Sequence, residues 1–115
     1  MGAKTLFTDA KFIGQAEGDK LTYYVYETAG GYLVAASRGR NSYSVTVVQL
    51  EAPDVIARKF EGQEITVNSL KSGTHRPDLF AEYFDRLNAL YVAVALGRAR
   101  KLKKRLGRSM LFKIK

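Results

Sequence analysis

Apolar and polar positions alternate through most of the first half of the chain. From Lys20 to Glu27, Leu21, Tyr23 and Val25 fall on one side, while Thr22, Tyr24 and Tyr26 fall on the other, which is the period of a strand. Gly30-Gly31 supplies positive φ for a hairpin, and Tyr32 to Ala36 continues as a second strand. After a turn over Ser37-Arg38-Gly39-Arg40-Asn41, Ser42 to Leu50 alternates again, with Tyr43, Val45 and Val47 on one face. A shorter strand is expected over residues 4–13, ended by a turn from Gly14 to Asp19. Connections this short make neighbouring strands antiparallel, so the pattern predicts a meander of about four strands.

Pro53 changes the period. Pro53 to Phe60 suits a short connecting helix with proline in its first turn, ended by Gly62. Gln63 to Leu70 reads two ways: Ile65 and Val67 favour a strand, whereas Thr66 suits the cap of a short helix. From Pro77 to about Leu106 the spacing predicts one long helix, with Phe80, Phe84, Leu87, Tyr91 and Val94 on one stripe flanked by Tyr83 and Leu90. Asp78, Glu82 and Asp85 near its start and cations near its end suit the macrodipole. Such a helix would be about 45 Å long, more than the diameter of about 35 Å for a compact chain of this size. Its basic end must therefore project, bend or lie on a second subunit. Ala99, Leu102 and Leu106 are rotated from the stripe by about 70°, and Gly97 between the two segments is the expected bend. Met110 to Ile114 forms a last strand or a frayed end. The fold expected is α+β: an antiparallel four- to five-stranded sheet packed by one long C-terminal α-helix and a short connecting helix. Residues 1–97 would make the domain, and 98–115 the basic end of the helix and a tail.

Length and composition change the picture only where charge is concerned. With 115 residues, 46% of them hydrophobic, the chain can bury one modest core. The net charge is +8, yet residues 1–97 hold ten Lys/Arg against eleven Asp/Glu, while residues 98–115 hold nine cations and no acid. That asymmetry points to a polyanionic partner. The absence of cysteine excludes disulfides, thiolate metal sites and a cysteine nucleophile, and a single histidine excludes a multi-histidine centre, so no cofactor is expected. No secretory leader is expected behind Met1, and Leu6 stands where myristoylation wants Ser or Thr. The longest apolar run, Leu87 to Leu96, is half of what a membrane span needs, and a cytoplasmic protein is expected.

The candidate chemistry follows from these charges. Arg98, Arg100, Lys101, Lys103, Lys104, Arg105 and Arg108 would line the projecting helix end, several point charges able to release counterions from phosphates together. Macrodipole compensation accounts for one or two of them at most. Tyr24 and Tyr26, with Arg38 and Arg40 in a neighbouring turn, have the chemistry to stack unpaired bases, although tyrosine also simply favours strands. Val55 to Leu70 resembles the spacing of bacterial helix-turn-helix motifs, but the turn glycine comes one place late, as Gly62, and a strand crossing is expected there instead. His75 is the one imidazole base, with Asp78 close enough in sequence to orient it. Gly14 to Lys20 lacks phosphate-loop spacing and carries Glu17 and Asp19. The expected function is a small non-enzymatic binding module, with a regulatory role open, contacting nucleic acid or another polyanion through the basic helix. The alternatives are an adaptor for an acidic protein, or a small-ligand binder or enzyme using His75. A homodimer is expected through surplus apolar residues around Leu90, Val92 and Leu96.

Overall fold

In a computed structural model that describes residues 9–40 and 42–115, the alternating segments form an antiparallel sheet with its strands in sequence order. These are β1 (Lys11–Glu17), β2 (Thr22–Thr28), β3 (Gly31–Gly39) and β4 (Ser42–Val48). Part of the first expected strand, residues 4–8, lies outside the described residues. The turn expected at Gly14–Asp19 is displaced: β1 runs on to Glu17, with Ala16 buried in the core, and the chain reverses where Gly18 N–H donates to Leu21 O at 2.8 Å. One face of the sheet presents Val25, Tyr32, Val34, Ala36 and Val48 to the core. The other face carries Phe12, Tyr24, Tyr26, Leu33, Val45 and Val47, as the strand period and the pairing of Phe12 with Tyr26 and of Leu33 with Val47 require.

Helix α1 (Ala52–Phe60) forms where expected, with Pro53 in its first turn. The stretch that read two ways does both: β5 (Glu64–Ile65) is followed by α2 (Ser69–Gly73), and the burial of Ile65 fits the strand crossing. A single helix from Pro77 to Leu106 does not form. A short α3 (Pro77–Phe80) stops at Ala81, Glu82 turns extended with ψ of 156°, and its amide donates to the Asp85 carboxylate at 3.1 Å to restart the chain as α4 (Tyr83–Ala95). The buried Arg86 ties the two helices, donating from Nη1 to the Phe80 and Ala81 carbonyls at 2.9 and 3.0 Å.

At its other end α4 is closed by Gly97, which takes a φ of 77°. Gly97 N–H reaches Val94 O and Arg98 N–H reaches Ala93 O, both at 2.9 Å, the paired bonds that cap a helix through a left-handed residue. Gly97 is thus a terminator and not a bend. The basic segment expected to continue the helix is instead β6 (Ala99–Leu106), which turns through Gly107–Arg108 into β7 (Ser109–Ile114). Gly107 has a φ of 61°, the requirement of a two-residue hairpin turn with glycine first. The Ala, Arg, Lys and Leu of β6 are good helix formers. Burial outweighs them: Phe112 and Ile114 are wholly enclosed only when the chain runs as a hairpin beside β5, giving a second sheet of order β5-β7-β6. Residues 98–115 are therefore built into the core and are not a tail.

The long-helix expectation and the size of the molecule conflict, and the fold resolves the conflict by shortening the helix. Thirteen residues make α4 about 20 Å long, inside a body of 40 × 29 × 23 Å. Every residue from Arg86 to Ala93 is buried, because α4 is covered by the first sheet, α1 and the hairpin. Leu90 and Val92, expected to face a partner, are core residues. At the centre the Tyr91 ring lies flat on Tyr23, centroids 4.2 Å apart, and edge-on to Phe112 at 6.1 Å. Burial pushes the Tyr91 phenol up well beyond its ordinary range.

Replacing Tyr91 by Ala is expected to cost about 3–5 kcal/mol of unfolding free energy, through loss of both ring contacts and a cavity. Tyr91→Phe, which keeps the ring and loses only a long contact from the hydroxyl to Met110 Sδ, should cost less than about 1 kcal/mol. Urea unfolding followed by circular dichroism measures both, and equal losses would show that the ring is not what joins the sheets.

Candidate nucleic-acid interface

The seven cations between Arg98 and Arg108 do not line a rod. They sit on or beside β6, the edge strand of the second sheet, and four of them are held by acids of the body. Lys101 pairs in register with the core residue Phe112, and Arg105 with Met110, so both fall on the side of the hairpin that faces the β1–β2 turn. There Asp19 receives them, Lys101 Nζ at 3.2 Å and Arg105 Nη2 at 2.6 Å from the same oxygen. Hydrogen bonds from Arg105 first, then Lys101, hold the Asp19 carboxyl below its ordinary value of 3.8. Lys104 Nζ lies 3.1 Å from Glu64, and Arg98 pairs with Asp54. Arg105 also donates to the Arg108 carbonyl at 3.1 Å and braces the turn. Among the described residues, Arg100, Lys103 and Arg108 have no acidic partner. The neighbouring Lys113 donates to the Gly62 carbonyl at 2.6 Å.

This arrangement has a structural role irrespective of any ligand. Charge along an edge strand discourages a second chain from adding to it. The ion pairs are solvent-exposed and hold little energy each, so their cations can exchange one anionic partner for another.

Tyr24 and Tyr26 occupy the sheet face opposite the helices. They share it with Phe12, whose ring meets Tyr26 edge-on at 5.4 Å, and with Tyr43. A groove of about 440 Å³ runs between Tyr24, Tyr26, Tyr43 and Val45. The hairpin packs on the helix side, through Phe112, so the structure does not bring these tyrosines and the cations of β6 together. It also separates the two arginines: Arg40 is exposed in the β3–β4 turn, while Arg38 folds along the helix side of β4 and donates from Nε to Ser44 Oγ at 3.0 Å. The acids Asp19 and Glu64 and the aromatic Phe12 were not legible as members of either site, because each arrives through pairing between distant segments. Tyr43 was visible in the alternation of β4.

His75 is exposed with a φ of 55°, and among the described residues no acid is hydrogen-bonded to it as an orienter. The Asp78 carboxylate is held from both sides by Arg76, Nε to Oδ1 at 3.0 Å and Nη2 to Oδ2 at 2.8 Å, which keeps its carboxyl below the ordinary range. Arg76 extends the same guanidinium to Glu51 at 2.5 Å. The cluster joins the start of α1 to α3 and is structural. Among the described residues no group of three His, Asp or Glu is placed to hold a metal ion, and no helix is long and apolar enough to cross a membrane. No protein-family model matches this chain, and no curated protein or solved structure shows significant similarity to it.

The Asp19 tether has a defined pH dependence. A carboxyl depressed by folding contributes stability above its unfolded value of 3.8 and loses that contribution as pH falls through the lower folded value. The Asp19 side-chain carbon, followed by NMR, should therefore titrate below 3.8, and the amides of β6 should shift with it. In the Lys101→Ala/Arg105→Ala double variant the midpoint should return towards 3.8. A midpoint that stays put would mean the pairs do not persist in solution.

Proposed function

We propose that this chain is a small non-enzymatic module that binds nucleic acid, chiefly through phosphates, with the β6–β7 hairpin. The observation that carries the reading is the concentration of nine cations and no acid in residues 98–115. Among the described residues Arg100, Lys103 and Arg108 have no acid to answer them, and a two-stranded ribbon has the width of a duplex major groove. Phosphate contacts fix position and supply affinity without base information, so the binding is nonspecific or weakly specific. Tyr24 and Tyr26, on the other side of the first sheet, are outside this contact and would act only on single strands.

The test is a fluorescence-anisotropy salt titration with duplex DNA, single-stranded DNA and RNA, and heparin as control. Three phosphate contacts give log affinity against log salt a slope of about −2.7. Arg100→Ala/Lys103→Ala/Arg108→Ala should remove most of it without loss of fold. Asp19→Asn should steepen the slope by about 1.8 by releasing Lys101 and Arg105. Binding no tighter than to heparin, or untouched by the triple substitution, rejects nucleic acid and leaves an acidic protein as the partner of these cations.

A second reading, a homodimer, is supported by a different surface from the one the sequence suggests. Phe12, Tyr43, Val45 and Val47 are exposed together on the outer face of the first sheet, and none is charged. A neutral apolar face does not suit a polyanion; it suits a second copy of itself across a two-fold axis. Sedimentation equilibrium at high micromolar concentration should show a dimer, and Val47→Lys should return it to 12.8 kDa. A monomer at every concentration ends this reading.

A further inference from the structure

On the helix side of the first sheet, strand β4 presents Ser44 and Thr46 where the other strands present apolar residues. The first turns of α4 do not close down on these hydroxyls, and a cleft of about 250 Å³ remains between β3, β4 and α4. We propose that this cleft is a binding site for a small aromatic carboxylate.

Three features define the ligand. The first is Asn88, which reaches into the cleft from α4, is only 5% exposed, and has no hydrogen-bonding partner for its amide among the described residues. The amide atoms are not sealed in the core but face the cleft, where a polar ligand atom can take the place of water beside them. The second is Arg38 at the mouth. Its Nε is fixed on Ser44 Oγ at 3.0 Å, which anchors the planar group and leaves its two terminal nitrogens without a partner among the described residues. That fork fits a carboxylate through two parallel hydrogen bonds. Among the described residues no Asp or Glu lines the cleft, so the lining offers a carboxylate no acidic neighbour and the ammonium of a zwitterion no counter-charge. The third is the apolar wall. Val34 and Ala36 form the floor, Tyr23 one side, and Phe84 stands at the rim with 64% of its surface exposed. A large exposed ring beside a half-open cleft offers a face on which a flat ligand can stack. Seated this way, the ring would lie between Phe84 and the floor with its carboxylate on Arg38, and Thr46 and Asn88 would meet polar atoms on the ring edge. The site does not involve the hairpin and is independent of its nucleic-acid reading.

Benzoate is the probe, added to the full chain and followed by amide chemical shifts in two-dimensional NMR. Saturable shifts are expected at Arg38, Ser44, Thr46 and Asn88, with a millimolar dissociation constant. Benzamide, the same shape without the charge, should bind about tenfold more weakly or not at all, and Arg38→Gln should weaken benzoate by about the same factor. Asn88→Leu replaces the amide by an apolar side chain in the cleft and should weaken benzoate severalfold. Because Asn88 is buried, that variant is compared by its unfolding midpoint, whereas Arg38→Gln alters an exposed side chain and keeps the test valid if Asn88→Leu fails to fold. No saturable shift in the cleft up to about 20 mM benzoate, equal binding of benzamide, or an Arg38→Gln affinity within twofold of the parent would overturn the proposal.

Discussion

The contact between Tyr91 and its two aromatic neighbours joins what would otherwise be two unconnected sheets. No strand of β1–β4 pairs with β5, β6 or β7. Their relative placement therefore depends on side chains alone, and the ring stacked on Tyr23 and edged by Phe112 lies between them. Packing of this kind is short-ranged and loses much of its attraction when the gap opens by an ångström. Helix α4 holds the ring in place and is buried around its whole circumference over its central turns. A helix in that position cannot be long. It must end where the hairpin begins, and the bonds around Gly97 end it there.

The same geometry explains why β4 has two unusual faces. Its alternation places Tyr43, Val45 and Val47 away from α4 and Ser44 and Thr46 towards it. In a sheet covered on one side the apolar set normally faces the cover, since a one-residue shift exchanges the faces completely. Here α4 lies closest to β1, and at β4 only Val48 joins the core, while a cleft remains beside Ser44 and Thr46. An apolar outer surface and a polar inner cleft are two results of one register.

Electrostatics on the hairpin is a matter of competition. Asp19, Asp54 and Glu64 hold four cations of the basic segment against the body. These exposed pairs do little for stability, yet they set how much charge the hairpin presents to any outside anion. A phosphate backbone must replace them or use Arg100, Lys103 and Arg108, which have no acidic partner among the described residues. The surface is thereby less cationic than its composition implies, and the difference is carried by acids that lie far from it in sequence.

Strand period, the proline of α1 and the location of charge are local properties, and the sequence by itself determined them. The antiparallel meander from Thr22 to Val48, helix α1, the break in pattern at Gly97 and the crowding of cations after it were all legible for that reason. The turn glycine at 107, followed by Met110, Phe112 and Ile114 at strand spacing, was a local signal too, outweighed by the helix propensity of the Ala, Arg, Lys and Leu before it. Whether residues 99–106 became helix or strand was decided only in the tertiary structure, since β7 finds its partner in Glu64 and Ile65 and its cover in Tyr91. The side of β4 that met the helix was decided there as well. Alternation defines two faces of a strand, but the choice between them depends on where the covering helix lies, and α4 is placed by contacts with β1, α1 and the hairpin that no local pattern contains.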